Sequence, residues 1–391
     1  MFGISLNLLS KNLVKLSYLL ILLVIIYYQF FQDYFPSWLF FIPYDIKVYW
    51  ASSDWIIGDK TLYINLPSEY PLFANFIFAI CRLISWPLKN LIGDFNSFAL
   101  SWYLMGISTL FITLKLIRNF IRNNIIIKLC WITPVIILFS GIRYDIYPVL
   151  FFILCLINLK NERLFIAAIS LGISICLKGF ALFALPSFIY YLYTNFGIKK
   201  TFYFVLTSIS LFAISNLSIL LILGKDALLF PYKYHAERTF NGQSSWDALR
   251  LTGLVNYLPG LPTFSAISFS VIGFLRKPKN FSEFIDSCVI AITGFSSSLV
   301  FYSPQFCFWT LSCATFSNNK RTCFLTLIFC LMTYIYYPLA SVYYAAGTRN
   351  DKYSFYIFSV SILIVTLVRF LIIINSFSRP SGLKNKKFLL S

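Results

Sequence analysis

Residues 202–223 read FYFVLTSISLFAISNLSILLIL, 22 positions without one charged side chain. At 1.5 Å per helical residue such a run reaches about 33 Å, enough to cross a hydrocarbon core of about 30 Å. Outward from it, residues 14–31 and 354–375 are apolar runs of similar length. A chain in hydrocarbon must satisfy its own backbone groups, and nothing here alternates as a barrel strand does, so the spans are helices. Composition agrees: 59% of the 391 residues are hydrophobic, 20% aromatic and 12% charged, whereas a soluble chain carries about a quarter charged residues. The expected fold is an all-α integral membrane protein, one polytopic domain over residues 1–391. Its spans are expected near 14–31, 95–117, 124–140, 146–159, 163–177, 180–194, 202–223, 262–275, 284–301, 306–317, 323–342 and 354–375, a bundle of about 10–12 transmembrane helices.

The net charge of +18 sits in short basic clusters between those spans. Arg118 and Arg122, Lys160 and Arg163, Lys199 and Lys200, Arg276, Lys277 and Lys279, and Lys320 and Arg321 fall on one side, and Lys384, Lys386 and Lys387 in a tail at 376–391 join them. This is the positive-inside pattern, which makes that side cytoplasmic and argues against nucleic acid as a partner. Lys47, Lys60, Arg82 and Lys89 fall outside, in a loop long enough for the rule to weaken. That first extracytoplasmic loop, 32–94, holds Asp33, Asp45, Asp54, Asp59, Glu69 and Asp94, and its stretch 71–86 is apolar enough to lie along the interface. A second external segment, 224–261, carries Asp226, His235, Glu237, Arg238 and Asp247. Only Glu162, Glu283 and Asp286 of the fourteen carboxylates map to the cytoplasmic side. The first apolar run has no small-residue cleavage site behind it and reads as a retained helix. Nine cysteines without paired spacing read as buried small hydrophobes, and a single histidine argues against a histidine-rich metal site.

Five stretches hold the residues suited to chemistry. Asp45-Ile-Lys-Val-Tyr49 is followed by Gly58, Tyr63 and Glu69-Tyr-Pro-Leu72. Next come Gly141-Ile-Arg-Tyr-Asp145-Ile-Tyr-Pro148, then Ile175-Cys-Leu-Lys178 with Leu185-Pro186. Tyr234-His-Ala-Glu-Arg238 precedes Gln243-Ser-Ser245, and Tyr302-Ser-Pro-Gln305-Phe precedes Trp309. Taken alone, Asp45 is a solvated loop residue or a general base just beyond a helix end. Lys178 closes an apolar run too short for a full span, so it either faces a polar cavity or snorkels to the interface. His235 and Arg238, if helical, share one face at i,i+3, suited to gripping a phosphate. Arg143 and Asp145, two residues apart in a tight turn, pair with each other or contact a substrate. Gln305 bonds a lipid phosphate, a sugar, or a broken helix end. Tyr49, Trp50 and Trp55 read first as an interfacial aromatic belt, with stacking on a sugar ring as the second reading.

In this order, over residues 40–310, the five stretches resemble the C-type membrane glycosyltransferases, most closely the family-87 polyprenol-phosphate mannosyltransferases and their bacterial relatives. Two departures stand out: Leu72 replaces a second proline after Tyr-Pro, and no acidic residue precedes the serines at 244–245. The resemblance implies a hexose donor on a polyprenyl phosphate and an extracytoplasmic lipid or glycan acceptor. It implies inverting transfer, with Asp45 matching the family's catalytic aspartate. Inversion needs a base opposite the leaving group and cations to hold the departing phosphate. Lys178, His235 and Arg238 are the candidates for the phosphate, and Gln305, Tyr49, Arg143 and Asp145 complete the expected substrate contacts. No cofactor or metal cluster is read from the sequence, although the acidic loops offer the oxygen donors a divalent cation takes. The Ile-, Asn-, Phe- and Lys-rich usage suits a low-GC genome, and with no large external domain the expected location is a bacterial inner membrane. A polysaccharide polymerase or ligase is the rival enzyme. A lipid or solute transporter is the rival without glycosyl transfer, and it is expected to show broken helices with internal ionisable residues in two similar halves.

Overall fold

A computed structural model describes residues 44–238, 244–246, 260–340 and 352–377. The span expected at 14–31, most of the tail at 376–391, and much of the second external segment, with Gln243 and Asp247, lie outside the described residues. Every regular element described is a helix: α1 Tyr44–Ser52, α2 Leu72–Ser85, α3 Lys89–Ile92, α4 Asp94–Ile117, α5 Ile125–Trp131, α6 Pro134–Ile142, α7 Ile146–Lys160, α8 Leu164–Leu177, α9 Leu185–Phe196, α10 Ile198–Leu223, α11 Lys225–Ala236, α12 Leu261–Leu275, α13 Phe281–Ser298, α14 Cys307–Ala314, α15 Lys320–Tyr334 and α16 Lys352–Phe377. One isolated bridge joins Leu62 and Leu66 in the turn between α1 and α2.

Four stretches are long and apolar enough to cross a membrane: Leu72–Ile92, Asp94–Ile117, Ile198–Leu223 and Ser359–Phe377. The pair α5 and α6, bent by 40°, makes a fifth. Pro134 opens α6 and enforces that bend, because it has no N–H to donate and clashes with the preceding turn. Residues 71–86, expected along the interface, form α2, and a 3-10 turn at Trp86–Leu88 and α3 carry the apolar stretch on to Ile92. Other expected spans come out shorter or divided. Residues 180–194 are a 3-10 turn over Gly179–Ala184 and then α9, with Pro186 in its first turn. Residues 306–317 hold only the eight residues of α14, behind a 3-10 turn that begins at Pro304.

The helices approach closely where glycine permits it, as in membrane bundles. A Cβ on Gly106 of α4 would collide with the Ser140 carbonyl of α6, and one on Gly141 would meet the Tyr103 ring. All nine cysteines are free and buried, as expected of small hydrophobes. Two ends of the bundle differ. At one, Lys160 lies over the rings of Phe120 and Phe281, Asn124 reaches Cys323, and Asn319 reaches the carbonyl of Asn375. The other end receives the start of α7, the close of α8 and the segment carrying α1.

Candidate functional site

The site is built where three helices begin or stop. α6 ends at Ile142, Arg143 is extended, and Asp145 stands as the N-cap of α7. α8 ends at Leu177 and Lys178 leaves it in extended conformation, because the 3-10 turn that follows breaks the helical register. Lys178 does not snorkel. Its Nζ donates to Asp145 Oδ1 at 2.8 Å and lies 4.5, 5.1 and 5.4 Å from the ring centres of Tyr144, Trp309 and Phe306. Trp309 Nε1 donates to the same Oδ1 at 2.8 Å, and its ring stacks between Phe180 and Phe306. Asp145 is fully buried, and its second oxygen, Oδ2, has no hydrogen-bond partner among the described residues. A buried carboxylate without its cation would be very costly, so Asp145 and Lys178 are held as a unit.

The expected pairing of Arg143 with Asp145 does not form. The extended residue turns its guanidinium to Asp45 on α1, while Asp145, already in helical conformation, faces Lys178. Arg143 also donates from Nη2 to the Tyr337 hydroxyl at 3.2 Å, and its Nε is buried without a partner among the described residues. Burial raises the Asp45 pKa above the usual carboxylate value, and the Arg143 charge opposes that rise without cancelling it. Glu69 and Asp145 add to the rise through their charges, which places all three carboxylates in one electrostatic neighbourhood.

His235 and Arg238 do not share a helix face, because α11 ends at Ala236. They converge instead on Glu69. Arg238 pairs with its carboxylate and His235 Nε2 lies 3.0 Å from its backbone oxygen. The Arg238 guanidinium rests over the rings of Tyr234 and Phe301, at 5.0 and 4.5 Å. Desolvation, then the Arg238 charge, push the His235 pKa down to about 4, although the residue remains exposed. Arg143 and Arg238 both stand within charge–charge range of Lys178. Residues from all five stretches therefore meet, and Asp45 and Lys178 flank residues 143–145 in one cluster.

Two expected contacts are placed elsewhere. Tyr49 is buried in an aromatic nest, stacked on Phe78 at 4.6 Å and edge-on to Tyr70 and Tyr144, so it supports the site from beneath. Gln305 is buried in the 3-10 turn before α14, where its Oε1 accepts from the Ser303 hydroxyl. Sequence reading missed Glu69 as the partner of His235 and Arg238, although it belongs to a quoted stretch. It also missed Arg369, the one charge within 354–375. Among the described residues, no group of three or more His, Cys, Asp and Glu side chains stands close enough to hold a metal ion.

The apolar helices and the charged cluster define the class, a helical membrane protein with a buried polar site. No protein-family model and no curated protein matches this sequence.

Proposed function

We propose that the protein is a membrane glycosyltransferase that moves a hexose from a polyprenyl-phosphate donor to an extracytoplasmic lipid or glycan acceptor. One observation carries the reading: all five quoted stretches send side chains to one cluster. They supply Asp45 with Glu69, Arg143 with Asp145, Lys178, His235 with Arg238, and Trp309. In this scheme Asp45 releases Arg143 and takes the acceptor hydroxyl proton as that oxygen attacks the anomeric carbon. The phosphate leaves from the opposite face with the electron pair of the broken C–O bond, and the cations hold its developing charge.

A base must be ionised, and the Asp45 pKa is raised. Transfer should therefore fall as pH drops through a midpoint above the ordinary aspartate value of about 3.9. Arg143→Gln removes the opposing charge and should move that midpoint higher still; a midpoint unmoved by it would argue against Asp45. The deciding test is transfer of labelled sugar from a polyprenyl-phosphate donor by purified protein. A solute transporter is the second reading, favoured by ionisable residues standing at broken helix ends, as Asp145 and Lys178 do. Labelled substrate crossing proteoliposomes without any glycosylated product would select it.

A further inference from the structure

Arg369, on α16, is fully buried and is not used in the scheme above. Its guanidinium lies 4.0 Å from the ring centre of Tyr302. Nη2 donates to Ser245 Oγ and to Thr366 Oγ1, each at 2.9 Å. Nε and Nη1 have no hydrogen-bond partner, and no carboxylate pairs with it, among the described residues. An arginine stays charged at any working pH, so burial with two unmet donors and no counter-ion is costly. Buried donors left open in this way call for a specific explanation.

Its surroundings supply one. Tyr302 begins the turn that carries Gln305 and leads to Trp309, whose ring packs on Phe306 at 3.9 Å and stands 5.1 Å from Lys178. Arg369 thus packs on the residue that leads into the turn whose other end contacts Lys178. Ser245 belongs to a short strap, 244–246, tied to the end of α13 by Ser244 Oγ donating to the Leu299 carbonyl and Trp246 Nε1 donating to that of Ser298.

We propose that Arg369 binds a phosphate group of a ligand, which replaces Ser245 Oγ at Nη2 and takes Nη1 in a two-point contact. A guanidinium suits a phosphate's paired oxygens, whereas a lysine offers only a point charge. The source of the phosphate rests on the function proposed above, as the head of the polyprenyl donor or product; the anion chemistry does not.

The test measures binding of labelled polyprenyl phosphate to the purified full-length protein, with inorganic phosphate and phosphatidic acid as competitors. Arg369→Met should weaken binding by about tenfold or more and Arg369→Lys by less, since one point charge remains. Ligand-free Arg369→Met should melt no lower than the native protein, because an apolar side chain replaces an uncompensated charge. Equal affinity in Arg369→Met overturns the proposal. Should that variant fail to fold, equal affinity in Arg369→Lys overturns it. A loss of stability in Asp247→Asn that disappears in the Arg369→Met background also overturns it, by identifying a counter-ion within the chain. Competition by phosphatidic acid at equal strength supports the phosphate contact and assigns its source to ordinary phospholipid; competition by inorganic phosphate alone assigns it to the free anion. Arg369-dependent binding without sugar transfer removes only the proposed function, and transfer with unaltered binding in Arg369→Met removes only this inference.

Discussion

The two ends of the bundle use charge in opposite ways. All six ion pairs among the described residues belong to the end that carries the site and its adjoining helices. They are Asp45 with Arg143, Asp145 with Lys178, Glu69 with Arg238, and a second group in which Arg82 joins Asp54 and Asp94 and Lys60 joins Asp54. At the other end Lys160 lies over aromatic rings, and Lys199, Lys200, Lys320 and Arg321 are exposed without an ion pair among the described residues. Exposed cations there are solvated by water and need no partner. Buried cations need one, so their partners are specified by the fold. The contrast separates charge that only meets solvent from charge whose partner the fold must supply.

Substitutions at the two ends should therefore differ in kind. The largest effect is expected for Lys178→Met, which leaves the fully buried Asp145 without its cation and should cost about 3–5 kcal/mol of stability. Adding Asp145→Asn should restore most of the loss, as read by thermal or denaturant unfolding in detergent; no recovery would mean that the pair does not act as a unit. Gly106→Val comes next. Its side chain would enter the Ser140 carbonyl, and strain of about 1–3 kcal/mol should appear as a lowered melting temperature. The smallest effect is expected for Lys320→Gln with Arg321→Gln, which should leave the melting temperature unchanged, because exposed charges without buried partners contribute little. A large loss there would collapse the distinction between the two ends.

The same distinction explains what the sequence could and could not yield. The helical membrane class was legible because an uncharged run such as 202–223 dictates helix and burial with no knowledge of its neighbours. Breaks were legible less well. Pro134 and Pro304 stand in plain sight, but whether a proline bends a span or divides it depends on what packs beside it. The site residues were legible as a set through their resemblance to a family pattern, and their partners were not. Arg143 and Asp145 sit two apart and looked like a pair, yet one is extended and the other opens a helix, so each meets a residue distant in sequence. Glu69 joins Arg238 across 169 positions, a link no local spacing reveals. Arg369 was visible as a lone charge in an apolar run and was passed over, although an ionisable residue at that depth is a functional candidate by default.

The central claim is that the cluster performs glycosyl transfer with Asp45 as its base. Its most direct test compares purified native protein and Asp45→Asn for transfer of labelled sugar from a polyprenyl-phosphate donor, with both proteins shown to melt alike. Asp45→Asn is isosteric and cannot take the proton, so the expected result is native turnover and a fall of about 10²–10⁴-fold in the variant. Undiminished transfer by Asp45→Asn would contradict the base assignment, and no transfer by the native protein from any such donor would contradict the function.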